Sequence, residues 1–164
     1  VGESGAPGNR RSAVNGVLEL MFLGQYEHTI DTKGRMTIPV KFRELLVDGA
    51  FVTVGFDNNL MVLTADIFNS LYERINAMSI TNENARSLRR LMFSQAVQVE
   101  VDKAGRILLP QYLRDRINLE SQATVIGVGG YFEIWNPETW APQSEALFNG
   151  ETNAQRYETL DLSL

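Results

Sequence analysis

Two short stretches hold the side chains best placed to do chemistry. Asp31-Thr32-Lys33-Gly34-Arg35 and Asp102-Lys103-Ala104-Gly105-Arg106 share an aspartate, a glycine three residues later and an arginine directly after it. Each is followed by a proline, Pro39 or Pro110, and by a further arginine, Arg43 or Arg114. The glycine admits the positive φ of a tight reversal, and the aspartate is placed to accept backbone N–H groups across it. Asp31, Gly34, Asp102, Gly105 and Arg106 are therefore read as turn-shaping residues. Two chemistries are open to Arg35: contact with a base or phosphate, or a salt bridge to Asp31 within its own turn. Lys41 and Arg43, just after Pro39, can likewise meet a phosphate or simply face solvent. Neither aspartate is read as a catalytic acid.

Other chemistry has little to stand on. The chain has no cysteine and one histidine, His28, which excludes a disulfide framework, a thiolate nucleophile and a His-based metal cluster. Gly127, Gly129 and Gly130 lack the following helix and the full spacing of a dinucleotide loop, so a hairpin turn is the expectation. No enzyme, cofactor or metal is expected.

The two turns belong to a longer internal repeat. Residues 31–43 align with 102–114 at an offset of 71, and an offset of 72 carries Gly55 onto Gly127, Leu60 onto Phe132 and Phe68 onto Trp140. In each copy, period-two alternation predicts strands before and after the turn (Tyr26 to Asp31 and Met36 to Ile38; Val97 to Asp102 and Ile107 to Leu109). Pro39 and Pro110 should end the strand and open a short helix, with Phe42, Leu45 and Leu46, or Leu113 and Ile117, on its apolar face. A hairpin follows in each copy, Phe51 to Gly55 with Leu60 to Leu63 and Ala123 to Val128 with Tyr131 to Trp135. Further helices should open at Thr64-Ala65-Asp66 and at Asn136-Pro137-Glu138.

A unit of about 50 residues buries too little core to stand alone. The two copies are therefore expected to pair as an intrachain pseudo-dimer. Helical spacing over Ser70 to Met78 and Asn82 to Gln95 predicts linker helices, with Arg86, Arg89 and Arg90 available for a subunit interface or a nucleic-acid surface. The domain expectation is 1–20 as a flexible extension with a natural start at Met21, 21–68 as the first copy, 69–95 as the linker, 96–142 as the second copy and 143–164 as an acidic tail, helical or disordered.

Composition sets limits on these readings. The chain has 164 residues, 44% of them hydrophobic, and carries a net charge of −5. No apolar run approaches the roughly 18 residues of a membrane span, so a soluble cytoplasmic protein is expected. The acidic balance argues against a nucleic-acid partner only until it is divided. Residues 31–43 hold four basic side chains against Asp31, a local +3, whereas residues 133–164 hold six acidic ones against Arg156, a local −5. Charges more than about 8 Å apart are largely screened at physiological salt.

The opening Met21-Phe22-Leu23-Gly24-Gln25-Tyr26, the paired Asp-x-x-Gly-Arg turns and Arg86-Ser87-Leu88-Arg89-Arg90-Leu91 between them closely resemble the bacterial MraZ proteins, of the AbrB-like class of DNA-binding folds. The resemblance covers about residues 21–148. It implies an α+β fold of tandem AbrB-like swapped-hairpin β-barrel half-domains. It also implies a nucleoid-associated transcriptional regulator of the division and cell-wall gene cluster, binding direct repeats in promoter double-stranded DNA. Homo-oligomeric rings of about eight to twelve subunits belong to the same implication. The family's DNA contacts fall on Lys33 and Arg35, with Lys41 and Arg43 as further candidates. A rival function is a cytoplasmic oligomerisation module of the same fold that binds no operator.

Overall fold

The structure, a computed structural model, describes residues 21–163; the expected N-terminal extension lies outside the described residues. β1 (Gln25–Thr29) enters the Asp31 turn and β2 (Arg35–Thr37) leaves it. Pro39 then ends the strand and caps α1 (Val40–Arg43), which tightens into a 3-10 turn over Glu44–Leu46. β3 (Ala50–Val54) and β4 (Leu60–Thr64) form a hairpin, and α2 (Ala65–Asn76) and α3 (Glu83–Gln95) lead to the second copy. There the order repeats as β5 (Val97–Val99), β6 (Arg106–Leu108), α4 (Gln111–Arg116), β7 (Gln122–Gly127) and β8 (Phe132–Trp135). α5 (Pro137–Leu147) and α6 (Gly150–Tyr157) complete the chain.

The strands on either side of each turn find their partners in the other copy. Only an Ile30–Met36 bridge joins the β1 segment to β2. Otherwise β1 pairs with β7, β5 pairs with β3, and β2 pairs with β6 in a separate two-stranded ribbon. The larger sheet runs β1-β7-β8-β4-β3-β5, all neighbours antiparallel. Exchanging the copies reads this order backwards, so the strand plan has twofold pseudo-symmetry centred between β4 and β8.

Alternation along the strands supplies one shared core. Val52, Leu60, Val125 and Ile134 point inward with Met36, Ile38, Ile107 and Leu109 from the ribbon and its ends. Phe22, Phe42 and Phe132 meet there with ring centroids 5.0–5.3 Å apart. A fully buried side chain of this size stabilises by about 1.5–3 kcal/mol, and of these eleven six come from the first copy and five from the second. Neither copy can keep its contribution without the other.

On the opposite face of β3 and β4, Met61 and Leu63 pack against Ile75 of α2 and Met92 of α3. The buried Thr53 hydroxyl donates to the Met92 carbonyl at 2.6 Å. α2 is a single helix capped by Thr64, whose side chain accepts from Ile67 N–H. The separate start expected at Ser70 is thus the middle of a helix that begins five residues earlier. Its apolar face is Phe68, Leu71 and Ile75, so the expected boundary after residue 68 falls inside it. The expected tail boundary at 143 falls inside α5, where Trp140 packs on Trp135 with ring centroids 5.1 Å apart. Among the described residues no helix is long and apolar enough to cross a membrane.

Candidate nucleic-acid interface

Each turn is built by its aspartate. One carboxylate oxygen of Asp31 accepts from the backbone N–H groups of Lys33 (3.0 Å) and Arg35 (2.9 Å), and the other accepts from Arg35 Nε at 2.7 Å. Asp102 does the same with Ala104 N–H (2.9 Å), Arg106 N–H (2.9 Å) and Arg106 Nε (3.0 Å). Both carboxyls are held below the ordinary aspartate range. The backbone N–H of the arginine is the main cause, with the guanidinium adding to it and partial burial opposing.

A pair this open to solvent adds little to stability. What it does is hold the guanidinium by its Nε. Of the two chemistries open to Arg35, the salt bridge to Asp31 within its own turn is present. Arg106 has the same arrangement, and its Nη1 also lies 3.9 Å from Asp31 Oδ2, tying one turn to the other.

The glycines lock the turns together. Gly34 and Gly105 have φ of +88° and +75°, a region costly for any residue with a Cβ. The carbonyl of Gly34 accepts from Leu109 N–H (2.9 Å), and that of Gly105 accepts from Ile38 N–H (2.8 Å). A Cβ on Gly34 would lie 2.8 Å from Arg114 Nε, and one on Gly105 would lie 2.3 Å from Arg43 Cζ. Each second arginine thus lies across the other copy's glycine.

Arg43 is accordingly engaged within the molecule through its Nε while remaining partly exposed. Its Nε donates to the Ile38 carbonyl at 2.9 Å, just as Arg114 Nε donates to the Leu109 carbonyl at 3.0 Å. Lys33 and Lys41 are exposed. His28 lies beneath this region, its pKa lowered first by burial and then by the Arg43 cation, with Glu27 opposing. Arg86 and Arg89 are also engaged: Arg86 donates to the Ile80 carbonyl, and Arg89 to those of Asn76 and Met78, clasping the loop between α2 and α3.

The ribbon presents a compact outer face. Its register sets Arg35 opposite Leu108, Met36 opposite Ile107 and Thr37 opposite Arg106. Met36 and Ile107 are wholly buried, so Arg35, Thr37, Arg106 and Leu108 face out together. Reading the sequence turn by turn did not single out Thr37 or Leu108 and favoured a structural part for Arg106. The signal that finds them is alternation, Arg35-Met36-Thr37 and Arg106-Ile107-Leu108, with the apolar middle residue turned inward.

The family model described as "MraZ protein, putative antitoxin-like" matches the chain twice, over residues 21–91 and 92–162. The chain belongs to the MraZ family. A "Transcriptional regulator MraZ" of Thermomicrobium roseum is 45% identical over 141 residues, which is 85% of this chain and 99% of that protein. Proteins of the same name from Herpetosiphon aurantiacus and Roseiflexus castenholzii are 49% and 44% identical over 120 residues, 73% of this chain and 84% of each relative. The two matched segments each contain one Asp-x-x-Gly-Arg turn, so the MraZ motif is present twice in the chain and its two copies meet at the β2–β6 ribbon. Among the described residues no cluster of His, Asp or Glu is arranged to hold a metal.

Proposed function

We propose that this MraZ chain is a sequence-specific double-stranded DNA-binding regulator of transcription, not an enzyme, and that the β2–β6 ribbon is its reading head. The single observation that carries this is the outer face of the ribbon: two arginines, each held by its own aspartate, beside exposed Lys33 and Lys103. A two-stranded ribbon fits the major groove, where each good bidentate arginine–guanine pair discriminates by about 1–3 kcal/mol. Lys33 and Arg35 make the principal contacts. Lys41 supplies a phosphate contact from α1, whereas Arg43 acts from behind by fixing the neighbouring turn.

One ribbon offers few contacts, so a single site is weak. In this reading the two copies close one swapped-hairpin barrel as an intrachain pseudo-dimer, and several chains assemble into a ring of about eight to twelve. Successive direct repeats in the promoter of the division and cell-wall gene cluster are then met as intramolecular events, raising affinity by about 10²–10⁴. Exposed Phe148, Leu160 and Leu162 beside α6 favour such self-association. The assembly works in the cytoplasm, on the nucleoid.

Titrating a labelled promoter fragment with direct repeats, at several salt concentrations, tests the reading. Binding should be repeat-dependent and salt-sensitive, and should weaken at least tenfold in Arg35→Ala. Undiminished binding by that variant refutes the residue assignment. Salt-insensitive or repeat-independent binding by the native chain refutes the function.

A further inference from the structure

The frame of the ribbon is symmetric but its outer face is not. Exchanging the two copies carries Arg35 onto Arg106, yet it carries Thr37 onto Leu108 and Lys33 onto Ala104. Leu108 is the anomaly. It is 54% exposed between the wholly buried Ile107 and Leu109, directly opposite Arg35. The core gains little from it, and threonine occupies the equivalent place in the other copy. Among the described residues Leu108 joins neither apolar cluster.

Resting on the reading of the ribbon as a DNA-binding surface, we propose that Leu108 is a specificity-determining residue that packs on the 5-methyl group of a thymine beside the guanine contacted by Arg35. Thymine alone among the four bases presents a methyl group in the major groove. Residues paired across an antiparallel ladder have Cβ atoms about 4.5–5.5 Å apart, and stacked bases rise about 3.4 Å per step. Arg35 and Leu108 therefore address the same base pair or its neighbour. At the other end of the ribbon Arg106 is paired with Thr37, which offers a hydroxyl beside the guanidinium. The two ends read different chemistry, so the pseudo-symmetric ribbon binds in one orientation. Sites repeated in the same direction suit such a reader.

Deoxyuridine lacks only the methyl group of thymine and gives the test. Duplexes are selected from a randomised pool by the full chain, and each thymine of the enriched site is then replaced singly by deoxyuridine. One replacement, within a step of a guanine whose identity matters to the native chain but not to Arg35→Ala, should weaken native binding about fourfold, the factor for burying one methyl-sized group. The same replacement should leave Leu108→Ala and Leu108→Thr unchanged. Native binding indifferent to every replacement, or variants that keep the sensitivity, overturns the role of Leu108 while the DNA-binding reading stands. A pool with no enriched sequence overturns both. Light scattering on the variants completes the test, because a changed assembly size would assign Leu108 to a subunit contact instead.

Discussion

Removing the Arg43 side chain should cost stability before it costs DNA affinity. Arg43 Nε donates to the carbonyl of Ile38, whose own N–H donates to Gly105 of the other copy. The guanidinium lies over Gly105 itself. A hydrogen bond from a charged donor contributes about 1.5–3 kcal/mol, and the lower end applies because Arg43 is half-exposed and water can replace it. Loss of the packed stem adds about 0.5–1 kcal/mol. Arg43→Ala should therefore destabilise by about 2 kcal/mol, or about 4–8 °C in Tm for a chain of this size. Arg43→Met keeps most of the stem and should lose only the hydrogen-bond part, about 1.5 kcal/mol. Arg114→Ala should match Arg43→Ala, since Arg114 spans Gly34 in the same way. Urea denaturation at fixed protein concentration, with an unchanged m-value, measures all three. An Arg43→Ala protein within 0.5 kcal/mol of native that binds promoter DNA tenfold more weakly would refute this reasoning and return Arg43 to the DNA surface.

Three further outcomes follow from the same geometry. Lys33→Ala should leave unfolding within about 0.5 kcal/mol of native and reduce the slope of log affinity against log salt by about 1 per engaged chain; an unchanged slope removes Lys33 from the phosphate contacts. Gly34→Ala and Gly105→Ala should each destabilise in a denaturant titration, by about 1–2 kcal/mol for the left-handed backbone and further because each added Cβ meets the other copy's arginine, the Gly34 Cβ also meeting the Leu109 oxygen at 2.8 Å; a variant of either kind as stable as the native chain would refute the tight packing of the turns. Acid should act in two windows. The folded pKa of His28 is below 6.5, so its contribution is complete above that pH and is lost as pH falls through the lowered value; the folded pKa values of Asp31 and Asp102 are below 3.8, so theirs is lost only further down. Stability measured against pH should lose the upper step in His28→Gln and part of the lower one in Asp31→Asn.

What could be read from the sequence was whatever is decided within about ten residues. The Asp-x-x-Gly-Arg turns, the helix starts at Pro39 and Pro110 and the hairpin of β3 and β4 all lie where local chemistry places them. Strand exchange is different. Tyr26 to Asp31 alternates identically whether it pairs with the strand after the turn or with β7, about a hundred residues on, so the pattern alone is silent and only the family resemblance points to exchange. The internal partners of Arg43 were hidden for a similar reason: they are a carbonyl five residues back and a glycine in the other copy. Arg86 and Arg89 were read as available for a subunit interface or a nucleic-acid surface, and their hold on the α2–α3 loop was not visible because a backbone carbonyl leaves no mark in the sequence as an arginine partner.

The two copies agree where the core needs them to and differ where it does not. Met36 and Ile107, Ile38 and Leu109, Phe42 and Leu113, and Leu46 and Ile117 all fill one shared interior, and any apolar residue of about the right volume serves there. Facing outward, Lys33 stands against Ala104 and Thr37 against Leu108. On the other face of the sheet the registers set Phe51 against Thr124 and Thr53 against Ile126, so the buried threonines of the two copies fall at different places. Thr53 donates to the backbone of α3 at Met92 and Thr124 to the Glu27 carboxylate on β1. The sheet face over β3 and β4 is covered by two helices, and its equivalent over β7 and β8 by α5 alone, through Trp140 on Trp135, since α6 buries none of its residues. A symmetric frame thus carries two unlike surfaces. On the proposed reading, in which the chain binds DNA in one orientation and meets further copies of itself, that asymmetry is the part of the structure that can set direction, because the core is blind to it.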